Sequence, residues 1–360
     1  MEKIRNEFPV AAQHIYANTA ACGLLYHDLW EWRQEHDLDY LIGGSHFKAK
    51  SDAFCIGVRQ TVSQFFGCNP TEVALIPNFS LGLNLLLEGL DKRRRVLLLD
   101  RDYPSINLPF ERREFPISYV AVTENLEAEI EACILREEIS VLALSLTQWL
   151  DGVQIDLGFL QTLKETYPDV LIIADGTQFC GTTNFNFNTS GIDILGASAY
   201  KWLLGGYGCG FFLVKAAVHS QFNIKSIGLH SAAFSAAQQE HPSFCALLEP
   251  GHLDTFNFGS LQFSLKYIEK LGLNSIESHL SALSQKAKKE FAALGLLSDV
   301  VLKRNSLSTI FNIKGDDQLF QHVTKHHVVC SQRGDGIRLS FHFYNLEKDI
   351  DSIVKILKMY

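Results

Sequence analysis

Short apolar runs recur along the chain at "EVALIP" (72–77), "RVLLLD" (95–100), "ISVLALSL" (139–146), "VLIIAD" (170–175), "IDILGASA" (192–199) and "GCGFFLVK" (208–215). Most lack the alternation of a half-exposed strand, as expected of strands buried on both faces. Helical patterns separate several of them. In "TENLEAEIEACILREE", Leu126, Ile130 and Ile134 fall on one stripe, and Thr123 stands where an N-cap is expected. Strand, helix, strand in that order predicts a mostly parallel sheet covered on both sides.

Beyond about residue 255 the texture changes. "NSIESHLSALSQKAKKEFAAL" places Ile276, Leu280, Leu283, Ala287 and Phe291 at helical spacing. Strand-like "LSTIFNI" and "GIRLSFHF" follow, then a last helix carrying Ile350, Ile353, Val354 and Leu357. The expected division is an N-terminal arm over residues 1–20 packed with the small domain, a large α/β domain over 21–255, and a smaller α+β domain over 256–360.

The 360 residues are 47% apolar and 20% charged, the balance of a globular protein. A net charge of −8 argues against nucleic acid or an anionic membrane as the main partner. The basic run at 92–95 reads as a solvated turn before a buried strand. No two of the eight cysteines form a C-x-x-C, which suits packed thiols in a reducing compartment rather than a disulfide frame or a zinc site. No apolar run is long enough to span a bilayer, and the first residues lack a secretory core. A cytoplasmic protein without a metal is expected.

Ligands of parallel sheets bind beyond the carboxyl ends of the strands. There "NFSLGLNLLL" opens a helix whose first amides, with the Ser80 hydroxyl, suit a phosphate. "RDYPS" brings Tyr103 over the same crevice, Asp175 closes "VLIIAD" before "GTQ", and Ser198, Tyr200 and Lys201 follow "IDILGA". Singly, each has a plainer reading: Ser80 as an N-cap, Tyr103 as a turn residue, Asp175 as a cap or salt bridge, Lys201 as a lysine reaching from a strand end to solvent. Together they meet the needs of pyridoxal phosphate chemistry. That chemistry takes a lysine able to shed its proton, a carboxylate to keep the pyridine nitrogen protonated, and a flat group on the ring face. It also takes donors for the phosphate and the ring oxygen.

"DGTQ" (175–178) followed by "SAYK" (198–201) resembles the D-G-x-Q … S-x-[HY]-K signature of class V aminotransferases. That fold type I family includes cysteine desulfurases, kynureninases and isopenicillin N epimerase-like proteins. The likeness extends to "IYANTAACGLL" (15–25) as an N-terminal arm, "NFSLGLNLL" as a phosphate-loop helix, "RDYPS" as a ring-stacking position and "GIRLSFHFYNLEKDI" (336–350) as an R-x-S-x-x-x-Y-N block. The resemblance implies a homodimer acting on an amino acid or amine through an aldimine on Lys201, which also shuttles the proton at the substrate α-carbon. By the same likeness Asp175 pairs with the pyridine nitrogen and Gln178 contacts the ring hydroxyl oxygen. Ser198, Tyr200 and the turn at Phe79 and Ser80 hold the phosphate, Tyr103 stacks on the ring, and Arg338 receives the substrate α-carboxylate. Asn18 and Gln148 are further candidates, from the arm and from a strand end. The small residues ahead of Lys201 are expected to let the backbone pass close under the cofactor. "GGYGCG" after it precedes a strand rather than a helix, so it reads as a tight turn and not a nucleotide loop.

Two departures stand out. Phe79 occupies a place where many relatives have threonine or serine, and His252 replaces the threonine of a Gly-Thr pair that reaches the partner subunit's phosphate. Gly251 and His252 are thus expected near the partner's cofactor. Transamination is the first reading. A cysteine desulfurase, lyase or epimerase is the enzymatic alternative, and a non-catalytic cofactor-binding sensor the alternative of another class. A desulfurase needs a nucleophilic cysteine ahead of the carboxylate arginine. Cys330, the one in that region, reads as buried packing, with Arg333 a possible activating cation.

Overall fold

The computed structural model describes residues 2–231, 243–305 and 308–360. Its strands, in chain order, are β1 (Ile15–Tyr16), β2 (Val73–Ile76), β3 (Val96–Leu99), β4 (Ile117–Val120), β5 (Val141–Ser145), β6 (Leu171–Asp175), β7 (Ile194–Ser198), β8 (Gly210–Val214), β9 (Ile310–Lys314), β10 (Val328–Val329), β11 (Ser331–Arg333) and β12 (Gly336–Ser340). Strands β2 to β8 form one sheet in the order β2-β8-β7-β6-β5-β3-β4. β8 runs antiparallel to both neighbours, and every other adjacent pair is parallel.

The six apolar runs are all strands of this sheet. In β3, Leu97 and Leu99 face one core while Val96 and Leu98 face the other. Burial on both faces explains why these runs show no alternation, and each such side chain contributes roughly 1.5–3 kcal/mol through its removal from water. The seventh strand, β4, has no apolar run to announce it: it lies at one edge of the sheet, partly exposed, with Tyr119 in solvent. The helix expected from Thr123 begins at Leu126, with Asn125 preceding it. Thr123 does not cap it, because its hydroxyl instead donates to Glu129 (2.8 Å) and accepts from Asn125 N (3.2 Å).

A second, antiparallel sheet is ordered β11-β12-β9. β1 pairs in parallel with β10, which ties the N-terminal residues to this part of the chain, and Phe8 packs on Tyr26, Phe343 and Tyr344. The helix Thr255–Leu271 packs on Ser51–Phe66 and His27–Gly43, whereas Leu273–Ala293 packs on β9 and the last helix, Glu347–Leu357. Gly272 separates these two helices. In the first of them Gly259 presses on the Trp32 ring, where a Cβ would collide.

Candidate active site

The carboxyl ends of β2, β3, β5, β6 and β7 converge on a cavity of about 130 Å³. Asn78, Phe79, Ser80, Tyr103, Ser105, Ser145, Trp149, Asp175, Thr177, Gln178, Ser198, Tyr200 and Lys201 line it. Residues more than a hundred positions apart meet there because parallel strands all end at one edge of the sheet.

Lys201 is 4% exposed, and its Nζ lies 5.4 Å from the ring centroids of both Tyr103 and Tyr200. Burial pulls its proton affinity below that of an ordinary lysine; Asp175 opposes this, and Arg338 and Arg333 add to it. Asp175 moves the other way. Burial raises its pKa, held in check by Thr177, whose amide donates to Oδ1 (2.8 Å), and by Lys201. A lysine disposed to lose its proton thus faces a carboxylate across one cavity.

Gln178 is oriented without ambiguity. The Trp202 indole N–H can only donate, and it donates to Gln178 Oε1 (2.7 Å), so the amide nitrogen must face the other way, toward Ala20 O (2.9 Å). Its second N–H remains for the cavity. Trp202 is held in turn by His342, whose Nε2 meets Trp202 O at 2.9 Å. His342 is buried neutral, its pKa pushed down to about 3 by burial, eased by the Trp202 carbonyl and lowered further by His279. In the unfolded chain this imidazole takes a proton near pH 6.5, so its contribution is complete above that pH and declines as pH falls toward 3. His342→Gln keeps a donor but does not titrate. Chemical denaturation as a function of pH is expected to show a slope shallower than wild type by about 1 kcal/mol per unit between pH 6 and 4.

At the opposite wall the helix Phe79–Gly89 presents its N-terminus, capped by Asn78, whose Oδ1 accepts from Leu81 N (2.9 Å). The Phe79 amide donates to Ser198 Oγ (2.9 Å), while its ring stacks on Phe212 at 5.4 Å. Gly196 answers to that stack: a Cβ there would strike Phe212 at 2.5 Å and Phe79 at 2.8 Å. Aromatic packing by itself therefore requires the small residue. Ser80 donates to Ser105 (2.8 Å), a residue of "RDYPS" that the sequence reading passed over.

Other candidates fall outside this cavity wall. Gln148 sits behind it, bonding Ser145 O (3.4 Å) and the buried Asp102, while its neighbour Trp149 lines the space. Asp102, unforeseen from sequence, accepts from Tyr103 N (2.6 Å) and Ser145 N (2.8 Å) and so joins two strand ends. Asn18 accepts from Ser331 (2.8 Å) and anchors the arm. Gly251 and His252 are exposed in the loop before Thr255–Leu271 and do not line the cavity of their own chain. Cys330 is 8% exposed, its thiol pushed up to about 12 by burial. The thiol near the lysine is Cys22, which hydrogen-bonds Tyr207 and perturbs Lys201.

Arg338 is 2% exposed and donates from one terminal nitrogen to Trp149 O (2.8 Å), while its buried Nε has no partner. Among the described residues it forms no ion pair, so an anion is the missing counterpart. The donor set fits pyridoxal 5'-phosphate. Lys201 would supply the amine, Asp175 the partner for a pyridine nitrogen, and Gln178 an N–H. Tyr103 would supply a ring face, and Ser80, Ser105 and the helix N-terminus the phosphate contacts. Among the described residues no His, Cys, Asp or Glu cluster is arranged to hold a metal.

The chain resembles known proteins in sequence and in fold. An uncharacterized aminotransferase, YcbU, of Bacillus subtilis is 20% identical over 359 residues, 97% of this chain and 95% of the relative. A probable cysteine desulfurase of Ureaplasma parvum is 22% identical over 84% of this chain and 81% of its own. Among solved structures, the apo cysteine desulfurase of Thermococcus onnurineus superposes with a TM-score of 0.86 at 19% identity, covering 99% and 97% of the two chains. The cystine C-S lyase C-DES, in complex with cysteine persulfide, gives 0.85 at 18% identity over 97% and 98%. At these identities the superpositions establish the fold, that of fold type I enzymes. The class-V aminotransferase profile matches residues 40–353, and the chain belongs to that family of pyridoxal phosphate-dependent enzymes.

Proposed function

We propose that this protein binds pyridoxal 5'-phosphate on Lys201 and transfers the amino group of an amino acid. The observation that carries the reading is the pairing of buried Lys201 with Asp175 across one cavity, beside an arginine whose buried Nε lacks a partner. When bound, the cofactor supplies an aldehyde and a ring that stabilises charge at the substrate α-carbon. Lys201 provides the amine that holds it and moves the α-proton, for which a lowered proton affinity suits it. Asp175 keeps a proton on the ring nitrogen. Tyr103 covers one ring face, Ser198, Tyr200, Ser80 and the Phe79 backbone hold the phosphate, and Arg338 takes the α-carboxylate. Asn18 and Gln148 support the site from behind it.

Transamination is favoured over desulfuration because the Cys330 thiol is buried and protonated at neutral pH. The active form is a homodimer in the cytoplasm. Exposed Trp30, Leu38, Tyr40, Leu41 and Ile42 on one helix favour a covering partner, which would bring Gly251 and His252 toward the neighbour's cofactor. Eight free cysteines favour a reducing compartment. The test is spectroscopic. Purified protein should be yellow and lose its colour with borohydride, and an amino acid should bleach the band, with a 2-oxo acid restoring it. Colour without any response to amino acids would favour a sensor, and alanine and sulfide release from cysteine would favour a desulfurase.

A further inference from the structure

The hairpin that carries Arg338 carries a second unpaired guanidinium. β11 and β12 pair so that Ser331 lies opposite Arg338 and Arg333 opposite Gly336. Side chains two apart on a strand share a face, as do directly opposed residues, so Arg333, Ser331 and Arg338 lie on the same side of the small sheet. Arg333 is the diagonal neighbour of Arg338, within reach for side chains of this length. It stands exposed beside the turn at Gly334 and Asp335, and its guanidinium donates to the adjacent Gln332 O (2.8 Å). Among the described residues neither arginine is ion-paired.

Both guanidinia act on the lysine. Arg338 and Arg333 each lower the proton affinity of Lys201, and Arg333 adds to the burial that pulls Arg338 down to about 10. Asp175 is the sole carboxylate lining the cavity. The two guanidinia thus stand beside the cavity within electrostatic reach of Lys201, while Asp175 accepts from Thr177 N inside it (2.8 Å). A neutral amino acid brings one carboxylate and satisfies Arg338 alone.

Resting on the reading above, we propose that the substrate is an acidic amino acid, its α-carboxylate on Arg338 and a second carboxylate, at the end of a short side chain, on Arg333. Arg333 is then a specificity residue at the rim, where a flexible side chain can close over the acid after it enters. The excess of positive charge favours a dianion both in encounter and in binding.

The experiment is an equilibrium titration of the cofactor-loaded protein with L-aspartate, L-glutamate and L-alanine, followed by the visible band and by calorimetry. Wild type should bind at least one of the two acids about tenfold or more tighter than alanine. In Arg333→Gln that ratio should fall about tenfold to hundredfold, and Arg333→Lys should retain part of it. A ratio near one in wild type overturns the proposal, as does a ratio unchanged by Arg333→Gln. A preference abolished by about 0.5 M salt also overturns it, since that marks a diffuse field rather than a seat. If no amino acid perturbs the coloured protein, the amino-acid reading itself fails, an outcome distinct from binding without acid preference.

Discussion

Lys201→Ala is expected to leave a protein that folds yet no longer fixes cofactor covalently. Borohydride treatment followed by mass spectrometry should add the cofactor's mass to wild type and nothing to the variant. Turnover should fall by at least about a thousandfold, the range associated with losing a group that moves a proton in the transition state. Folding should survive because among the described residues the lysine makes no ion pair, and burial disfavours its charge. Removing it should raise rather than lower the melting temperature of the apoprotein. Full turnover, or labelling at another lysine, would refute the role. The aromatic frame of Tyr103 and Tyr200 remains in the variant, so noncovalent cofactor binding should persist.

Arg338→Leu should have opposite effects on binding and on stability. The guanidinium is buried with one hydrogen bond to Trp149 O and an Nε that has none. An unpaired buried charge costs several kcal/mol, so the apoprotein with leucine there should be more stable by about 1–3 kcal/mol in denaturant titrations. Binding of amino acids should weaken by about tenfold to hundredfold, the loss expected of a charge-assisted pair. The cofactor's own affinity should change far less, since Arg338 does not line the cavity holding Lys201 and Asp175. A merely structural arginine would give the reverse pattern: lower stability and substrate affinity close to wild type.

How much of this was legible beforehand depended on distance along the chain. Asp175, Gln178, Ser198 and Lys201 lie within one stretch, at or just past the ends of two adjacent strands, and sequence spacing nearly suffices to bring them together. Thr177 and Ser105 stood inside motifs already singled out; their hydroxyls were overlooked because their partners, Ser198 N and Ser80, lie 21 and 25 residues away. Asp102 was missed for the same reason, as its partner Ser145 N is 43 residues on. Trp202 is adjacent to Lys201, but its task of fixing the Gln178 amide becomes visible only when the indole is seen to donate inward. β4 escaped because a partly exposed edge strand with Tyr119 in solvent lacks the uninterrupted apolar run that marks the buried ones, β2 at the other edge included.

By itself the sequence determined the order of buried strands and covering helices, and with it a parallel sheet whose carboxyl ends gather the polar residues that follow each run. That much is local: apolar runs, turn residues and a lysine after a small-residue strand need no knowledge of distant neighbours. Only the tertiary structure decided which amides and hydroxyls face the cavity and which bond one another. It also decided that Phe79 turns its ring to Phe212, that Cys330 is shut away, and that Arg338 and Arg333 share one face with no ion pair among the described residues. Protonation and unpaired charge are set by burial and by groups brought together from far along the chain, and folding alone brings them together.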